Sequence, residues 1–269
     1  MTFLEHLEEL RWTLVRSAIA VMVGFVLCFI YKSFVFEEVV LAAQDPHFIT
    51  YRAFCKLGLW MGMPDMCIDD LGFTIQNLQV SGQFMMHMSV ALVAGIILAF
   101  PYILWELWRF IGPGLRERER QGVRGFVAAA SMLFFIGVLF GYYLLTPLTV
   151  QFFGNYQVSP TVANKFALES FIGIVTQVTL WTGIIFELPL LVVILTRIGV
   201  LGPAFLRTYR KHSYVGILVV AAILTPPDVI SQILVSAPLI LLYEGSIVLS
   251  ARAVKRMEAA HNTKLAGAK

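Results

Sequence analysis

Residues 125–148 read GFVAAASMLFFIGVLFGYYLLTPL, a run without a single acid or base. As a helix rising 1.5 Å per residue it is ~36 Å long, enough to cross a hydrocarbon core of ~30 Å. Working outward, comparable stretches occupy residues 14–31, 84–110 and 171–198, and two shorter ones occupy 214–224 and 230–249. The last two are separated by Thr225-Pro226-Pro227-Asp228, where two prolines and an acid predict a turn. Fusing them into one span gives ~54 Å of helix, too long for a single crossing. Composition agrees: 58% of the 269 residues are hydrophobic and 14% charged, against about 45–50% and 25% in soluble chains. Those proportions exclude disorder and a coiled coil, and three cysteines are too few for a secreted disulfide scaffold. The expected fold class is all-α, a polytopic membrane protein with six transmembrane helices. Residues 1–257 would form one transmembrane domain and 258–269 a short polar cytoplasmic tail, expected to be disordered.

Lysine and arginine next to spans stay on the cytoplasmic side. Sixteen fall on one side of the six-span arrangement, while Lys32, Arg52, Lys56 and Lys165 fall on the other. That split predicts both termini in the cytoplasm. The opening MTFLEHLEELRW is acidic and amphipathic, unlike a cleavable signal or an arginine-rich transit sequence, which favours a prokaryotic cytoplasmic (inner) membrane. Within it Phe3, Leu7, Leu10 and Leu14 recur at helical spacing, predicting an interfacial helix that leads into the first span. The outside stretch from Phe34 to Gln83 is too long for a plain linker. It mixes Asp45, Asp65, Asp69 and Asp70 with Phe48, Ile49, Phe54, Leu57, Leu59 and Trp60, and is expected to fold back as a cap.

A charge at the centre of a span costs ~2.5–3.5 kcal/mol on insertion scales, so each intramembrane ionisable group needs a reason. Glu187 lies deep in the fourth span, two residues before Pro189, which removes a backbone donor and kinks the helix. His87 and Glu244 sit closer to span ends, where snorkelling toward the interface accounts for them. On the cytoplasmic face Glu5, Glu8, Glu9, Glu117 and Glu119 are a minority among many bases, suited to attract a cation. The plain alternative is local pairing of Glu8 with Arg11 and of Glu119 with Arg116, each worth a few tenths of a kcal/mol. There is no P-loop, no Cys/His metal spacing and no G-x-S-x-G, and the five histidines are scattered. No enzymatic activity, metal or cofactor is expected, and a net charge of +3 gives no reason to expect a nucleic-acid partner.

Four segments in order form a specific series: His6-Leu7-Glu8-Glu9-Leu10-Arg11; Phe110-Ile111-Gly112-Pro113-Gly114-Leu115 with Glu119-Arg120; Phe186-Glu187-Leu188-Pro189; and Leu224-Thr225-Pro226-Pro227-Asp228 with Gln232. In this series the chain resembles the TatC family of the twin-arginine protein translocase over nearly its whole length. The resemblance implies a concave, glove-like wall of six helices with both termini inside. It also implies a receptor and core subunit that binds twin-arginine signal peptides and exports folded proteins using the proton gradient. Carried over, Glu9 and Glu119 match the two acids that receive the signal's arginine pair. Phe110, Pro113, Leu115 and Arg120 match neighbouring positions that shape the loop and groove. Glu187 matches a polar residue facing the cavity inside the membrane, and Thr225 and Gln232 match a contact region for single-span partners of the TatA/TatB type. The expected partners are therefore those subunits, signal peptides of folded cargo, membrane lipid and further copies of this chain in a homo-oligomeric receptor complex.

The competing class is a proton-coupled small-solute secondary transporter that uses Glu187 at the kink. Such a design carries an internal repeat of its broken spans, and the 186–189 segment has no second copy. The chain departs from better-known family members in its long first outside loop, which carries Cys55 and Cys67. Both lie on the oxidising side, and a disulfide is expected, the alternative being two packed thiols; Cys28, in the first span, reads as a packed thiol.

Overall fold

The structure is a computed structural model that describes residues 3–60, 62, 67, 73–111, 123–159, 161–162, 164–225 and 229–266. The described residues are overwhelmingly helical. The chain divides into two compact units, Met1–Gly183 and Ile184–Lys269.

In the first unit, α1 (Phe3–Ile30) is one uninterrupted helix of 28 residues. The amphipathic start runs into the first span without a break, because no glycine or proline interrupts the run before Gly24. The segment between the first two spans follows with a π-helical turn (Phe34–Val40), a 3-10 turn (Leu41–Gln44) and α2 (Ile49–Trp60). Asp45 turns the chain into α2 by accepting the His47 backbone N–H at 2.8 Å, a bond that holds its carboxyl below the usual range. β1 (Thr74–Gln76) then leads to α3 (Gly82–Ile111).

The third span is α4 (Val123–Phe140), a π-helical turn (Gly141–Leu145) and α5 (Thr146–Asn155) in succession. Pro147 explains the break in regularity. It has no N–H for the carbonyl of Tyr143, four residues back, and Thr50 of α2 donates its hydroxyl to that carbonyl instead. The neighbouring Tyr51 is 1% exposed, and its hydroxyl lies 3.1 Å from the Ala43 carbonyl and 3.3 Å from that of Pro147. Burial pushes this phenol well above its ordinary pKa. The expected cap is thus seated on the third span around Tyr143 and Pro147. Its core is Val40, Ala43, Val90, Val150, Phe171, Ile172 and Val175, and Cys55 is bridged to Cys67. Cys28 is free and buried.

β2 (Lys165–Ala167) pairs in parallel with β1, Thr74 opposite Lys165 and Gln76 opposite Ala167. This three-residue ladder is the one departure from an all-α fold among the described residues. It is too short to leave an alternation pattern in the sequence.

α6 (Leu168–Phe186) and α7 (Leu188–Arg197) make up the fourth span. They meet at Glu187, with Pro189 in the first turn of α7, where its missing N–H costs nothing. The unit boundary falls in the last turn of α6. α8 (Pro203–Thr208), α9 (Arg210–Leu224) and α10 (Val229–Ala266) complete the second unit. In it α10 packs on α7, where the Thr196 and Ser250 hydroxyls lie 2.8 Å apart.

Among the described residues five helical segments are long and apolar enough to cross a membrane: Glu5–Ile30, Gly82–Ile111, Gly125–Asn155, Leu168–Thr196 and Ser231–Lys255. The remaining expected span, residues 214–224, lies in α9, whose 15 residues measure only ~22 Å. α10 does not end at its apolar stretch but runs on to Ala266. The disordered tail expected from Glu258 is therefore helical to that point. Ala, Arg, Lys, Met and Glu dominate residues 251–260, and all are strong helix formers that let the helix propagate.

Candidate functional site

The first unit is organised by the antiparallel packing of α1 against α3. Where they cross, a Cβ on Gly24 would lie 2.8 Å from the Gly95 carbonyl oxygen, and one on Gly95 would lie 2.5 Å from the Phe25 backbone nitrogen. Only glycine allows this approach, which is how packed helices gain close contact without a hydrophobic drive between them. Side-chain contacts then fall in register along the pair. Phe29 stacks on His87 at 4.1 Å, Arg16 meets Glu106, and His6 stacks on Phe110 at 4.4 Å. The crossing thereby holds the first turns of α1 against the last turns of α3.

Between those turns lies a groove of about 250 Å³, lined by Glu5, Glu8, Glu9, Trp12, Thr13, Arg16, Arg109 and Phe110. Glu9, Thr13 and Arg16 share one face of α1 by their spacing. Glu5, Glu8 and Glu9 are all exposed. The alternative pairing of Glu8 with Arg11 is not made: among the described residues no ion pair involves Glu8, Glu9 or Arg11. The groove therefore offers the exposed carboxylates of Glu8 and Glu9.

A further carboxylate, that of Glu106, is bound to two of the lining residues, Arg16 and Arg109. Glu106 is 2% exposed. Its Oε2 accepts from Arg16 Nη1 at 3.4 Å, and its Oε1 accepts the Tyr102 hydroxyl at 3.1 Å and stands 3.9 Å from Arg109 Nη1. A buried carboxylate is tolerable when paired and hydrogen-bonded in this way. Sequence reading assigned Arg16 and Arg109 to topology and passed over Glu106. The signal was an acid inside the apolar 84–110 stretch, but its partner Arg16 is 90 residues away.

Of the six residues expected to bind signal peptide, Glu9 and Phe110 line this groove together. Pro113, Leu115, Glu119 and Arg120 lie outside the described residues.

The intramembrane set belongs to the second unit. Glu187 occupies the junction before α7, its N–H bonded to the Ile184 carbonyl and its own carbonyl accepting from Leu190 and Leu191. Thr225 is buried at the end of α9, with its hydroxyl donating to Ala221 at 2.8 Å. Gln232 on α10 donates to the Leu218 carbonyl at 3.4 Å. Thr225 and Gln232 are thus both tied to α9, and neither of these bonds reaches Glu187.

Glu244 and His87, expected near span ends, are each held by neighbours in the fold. Glu244 accepts from Arg210 at 2.7 Å and from the Tyr214 hydroxyl at 2.5 Å, so a partner within reach holds it. His87 lies face to face with Phe29 and edge-on to Phe36, and its Nε2 is buried without a hydrogen-bond partner among the described residues. Aromatic stacking keeps it inside.

The profile of the family described as "Sec-independent protein translocase protein (TatC)" matches residues 5–238. The TatC protein of Blattabacterium sp. subsp. Periplaneta americana is 36% identical over 252 residues, covering 93% of this chain and 95% of its own. TatCy of Bacillus subtilis is 30% identical over 258 residues, covering 96% and 92%. The crystal structure of a twin-arginine translocase receptor, TatC in DDM, superposes with a TM-score of 0.69 at 30% identity, covering 91% of this chain and 99% of that one.

Proposed function

This chain belongs to the TatC family, which makes it a non-enzymatic, membrane-embedded component of a Sec-independent protein translocase, and we propose that its α1–α3 groove receives the arginine pair of twin-arginine signal peptides. The single observation that carries this reading is the contrast within the groove. The buried Glu106 is paired with Arg16 and Arg109, which line the groove, whereas the lining carboxylates of Glu8 and Glu9 are exposed and make no ion pair among the described residues. A guanidinium presents a rigid donor fork that a carboxylate accepts bidentately, and an ammonium does not reproduce it. Glu9 takes one arginine. Glu119, on the loop that follows Phe110, takes the other, with Pro113, Leu115 and Arg120 shaping that loop.

The sixteen-to-four distribution of Lys and Arg supports placing this end of the molecule, and both termini, in the cytoplasm, with the helices forming a concave glove-like wall in the inner membrane. Glu187, Thr225 and Gln232 then form the contact region for single-span subunits of the TatA/TatB type. A polar group on such a helix gains ~0.6–2 kcal/mol per interhelical bond. That suits association made and broken as folded cargo is exported at the expense of the proton gradient, in a complex that holds several copies of this chain. Family membership favours this reading over a solute transporter built around Glu187.

The test is photo-crosslinking of a twin-arginine signal peptide to the purified protein. A probe beside the arginine pair is expected to label the first turns of α1. Equal labelling by a peptide whose two arginines are lysines would refute the proposed recognition.

A further inference from the structure

We propose that Glu106 is a positioning residue that sets the groove's affinity for an incoming arginine pair by holding this chain's own guanidiniums, Arg16 and Arg109, away from Glu9. The inference rests on the preceding reading of the groove as the signal-peptide site.

Arg16 and Arg109 both line the groove that Glu5, Glu8 and Glu9 open to solvent. Arg16 lies two turns from Glu9 on the same face of α1, and its side chain is 41% exposed, while that of Arg109 is 65% exposed. Burial therefore does not hold these guanidiniums in place. Tethered to the groove walls, they are permanent competitors for its carboxylates, at an effective concentration in the millimolar range that no soluble peptide matches. What they are paired with is the Glu106 carboxylate, 2% exposed. Its oxygens face Arg16 at 3.4 Å, Arg109 at 3.9 Å and the Tyr102 hydroxyl at 3.1 Å.

A buried carboxylate has few other donors to turn to, and removing a partner leaves its charge uncompensated, so the attraction toward it is strong. The exposed carboxylates of Glu8 and Glu9 are screened by water and bind a cation weakly until a peptide excludes that water. The chain's own arginines are thus drawn to the buried acid, and the solvated acids are left for the signal.

Glu106→Gln is nearly isosteric and keeps an acceptor for Tyr102 while removing the charge that draws Arg16 and Arg109. Signal-peptide affinity is expected to fall roughly fivefold to tenfold as the freed cations turn to Glu9. The triple variant Glu106→Gln, Arg16→Gln, Arg109→Gln carries neither the anchor nor the competitors. It is expected to bind within about twofold of the parent, a coupling that independent sites do not show. Unchanged affinity in Glu106→Gln overturns the proposal. So does a triple variant that binds as weakly as the single one, since Glu106 then supports the groove only through its fold. If Glu106→Gln is not recovered folded, the triple variant, which leaves no unpaired buried charge, decides by itself: parental affinity supports the proposal and a large loss overturns it. Glu9→Gln is measured alongside. Undiminished binding there shows that the groove does not receive the arginines, a failure distinct from that of Glu106.

Discussion

Replacing Gly95 by Ala adds one methyl group to a helix, a change that normally stabilises by up to ~1 kcal/mol through helix propensity. Here the sign is expected to reverse. The new Cβ would lie 2.5 Å from the Phe25 backbone nitrogen and 3.0 Å from the Gly24 carbonyl carbon and the Phe25 Cα. Ordinary contact begins near 3.4 Å, so the overlap is about 0.9 Å against backbone that has no rotamer to change. α1 and α3 must part by that distance at the crossing, which is expected to cost ~1–3 kcal/mol as overpacking. The same separation shifts Glu9 against Phe110 and loosens the His6–Phe110 stack.

The control is Gly245→Ala in α10, where an added Cβ meets nothing within 4 Å. Thermal unfolding of the detergent-solubilised protein is expected to show a lowered midpoint for Gly95→Ala and an unchanged or raised one for Gly245→Ala. Signal-peptide affinity, read by fluorescence anisotropy, is expected to fall for the first variant only. Equal unfolding midpoints for Gly95→Ala and the parent would refute the reasoning, because a crossing that absorbs a methyl group does not hold the register that assembles the groove.

Three further outcomes are expected. Glu9→Gln and Glu119→Gln each lose ~1.5–3 kcal/mol of signal-peptide binding, roughly tenfold or more in affinity, while the protein stays folded and inserted; a double variant that binds normally would exclude both residues. Glu187→Ala and Gln232→Leu leave signal-peptide binding intact but weaken crosslinking to single-span partners and slow export, and normal export in both variants would make this polar set structural. Cys55→Ser with Cys67→Ser lowers the stability of the outer cap by ~3 kcal/mol in the chain-entropy account of a short closed loop, and thiol counting under non-reducing denaturation finds one free thiol in the parent, Cys28; three would reject the bridge.

The spans were legible in the sequence because transfer of a helix into hydrocarbon depends on the summed hydropathy of consecutive residues, a strictly local quantity. The break at Glu187 was legible for a similar reason, since Pro189 acts on the carbonyl four residues before it. Glu9 and Phe110 were each legible as motif residues, and the Cys55–Cys67 bridge was expected from the place of both in one long loop.

Tertiary structure decided what depends on residues far apart in the chain meeting in space. Nothing near Gly24 or Gly95 announces that each faces the other's backbone, and nothing near Arg16 names Glu106 as its partner. The π-helical turn before Pro147 had a local cause, yet its open carbonyl is filled by Thr50 from a helix nearly a hundred residues earlier. The β1–β2 ladder joins two segments between spans through three residues each, too few to carry a period. Hydropathy and proline act along the chain and are read there. The groove arises from the distance between two helices, which the packing of two glycines sets and no single segment encodes.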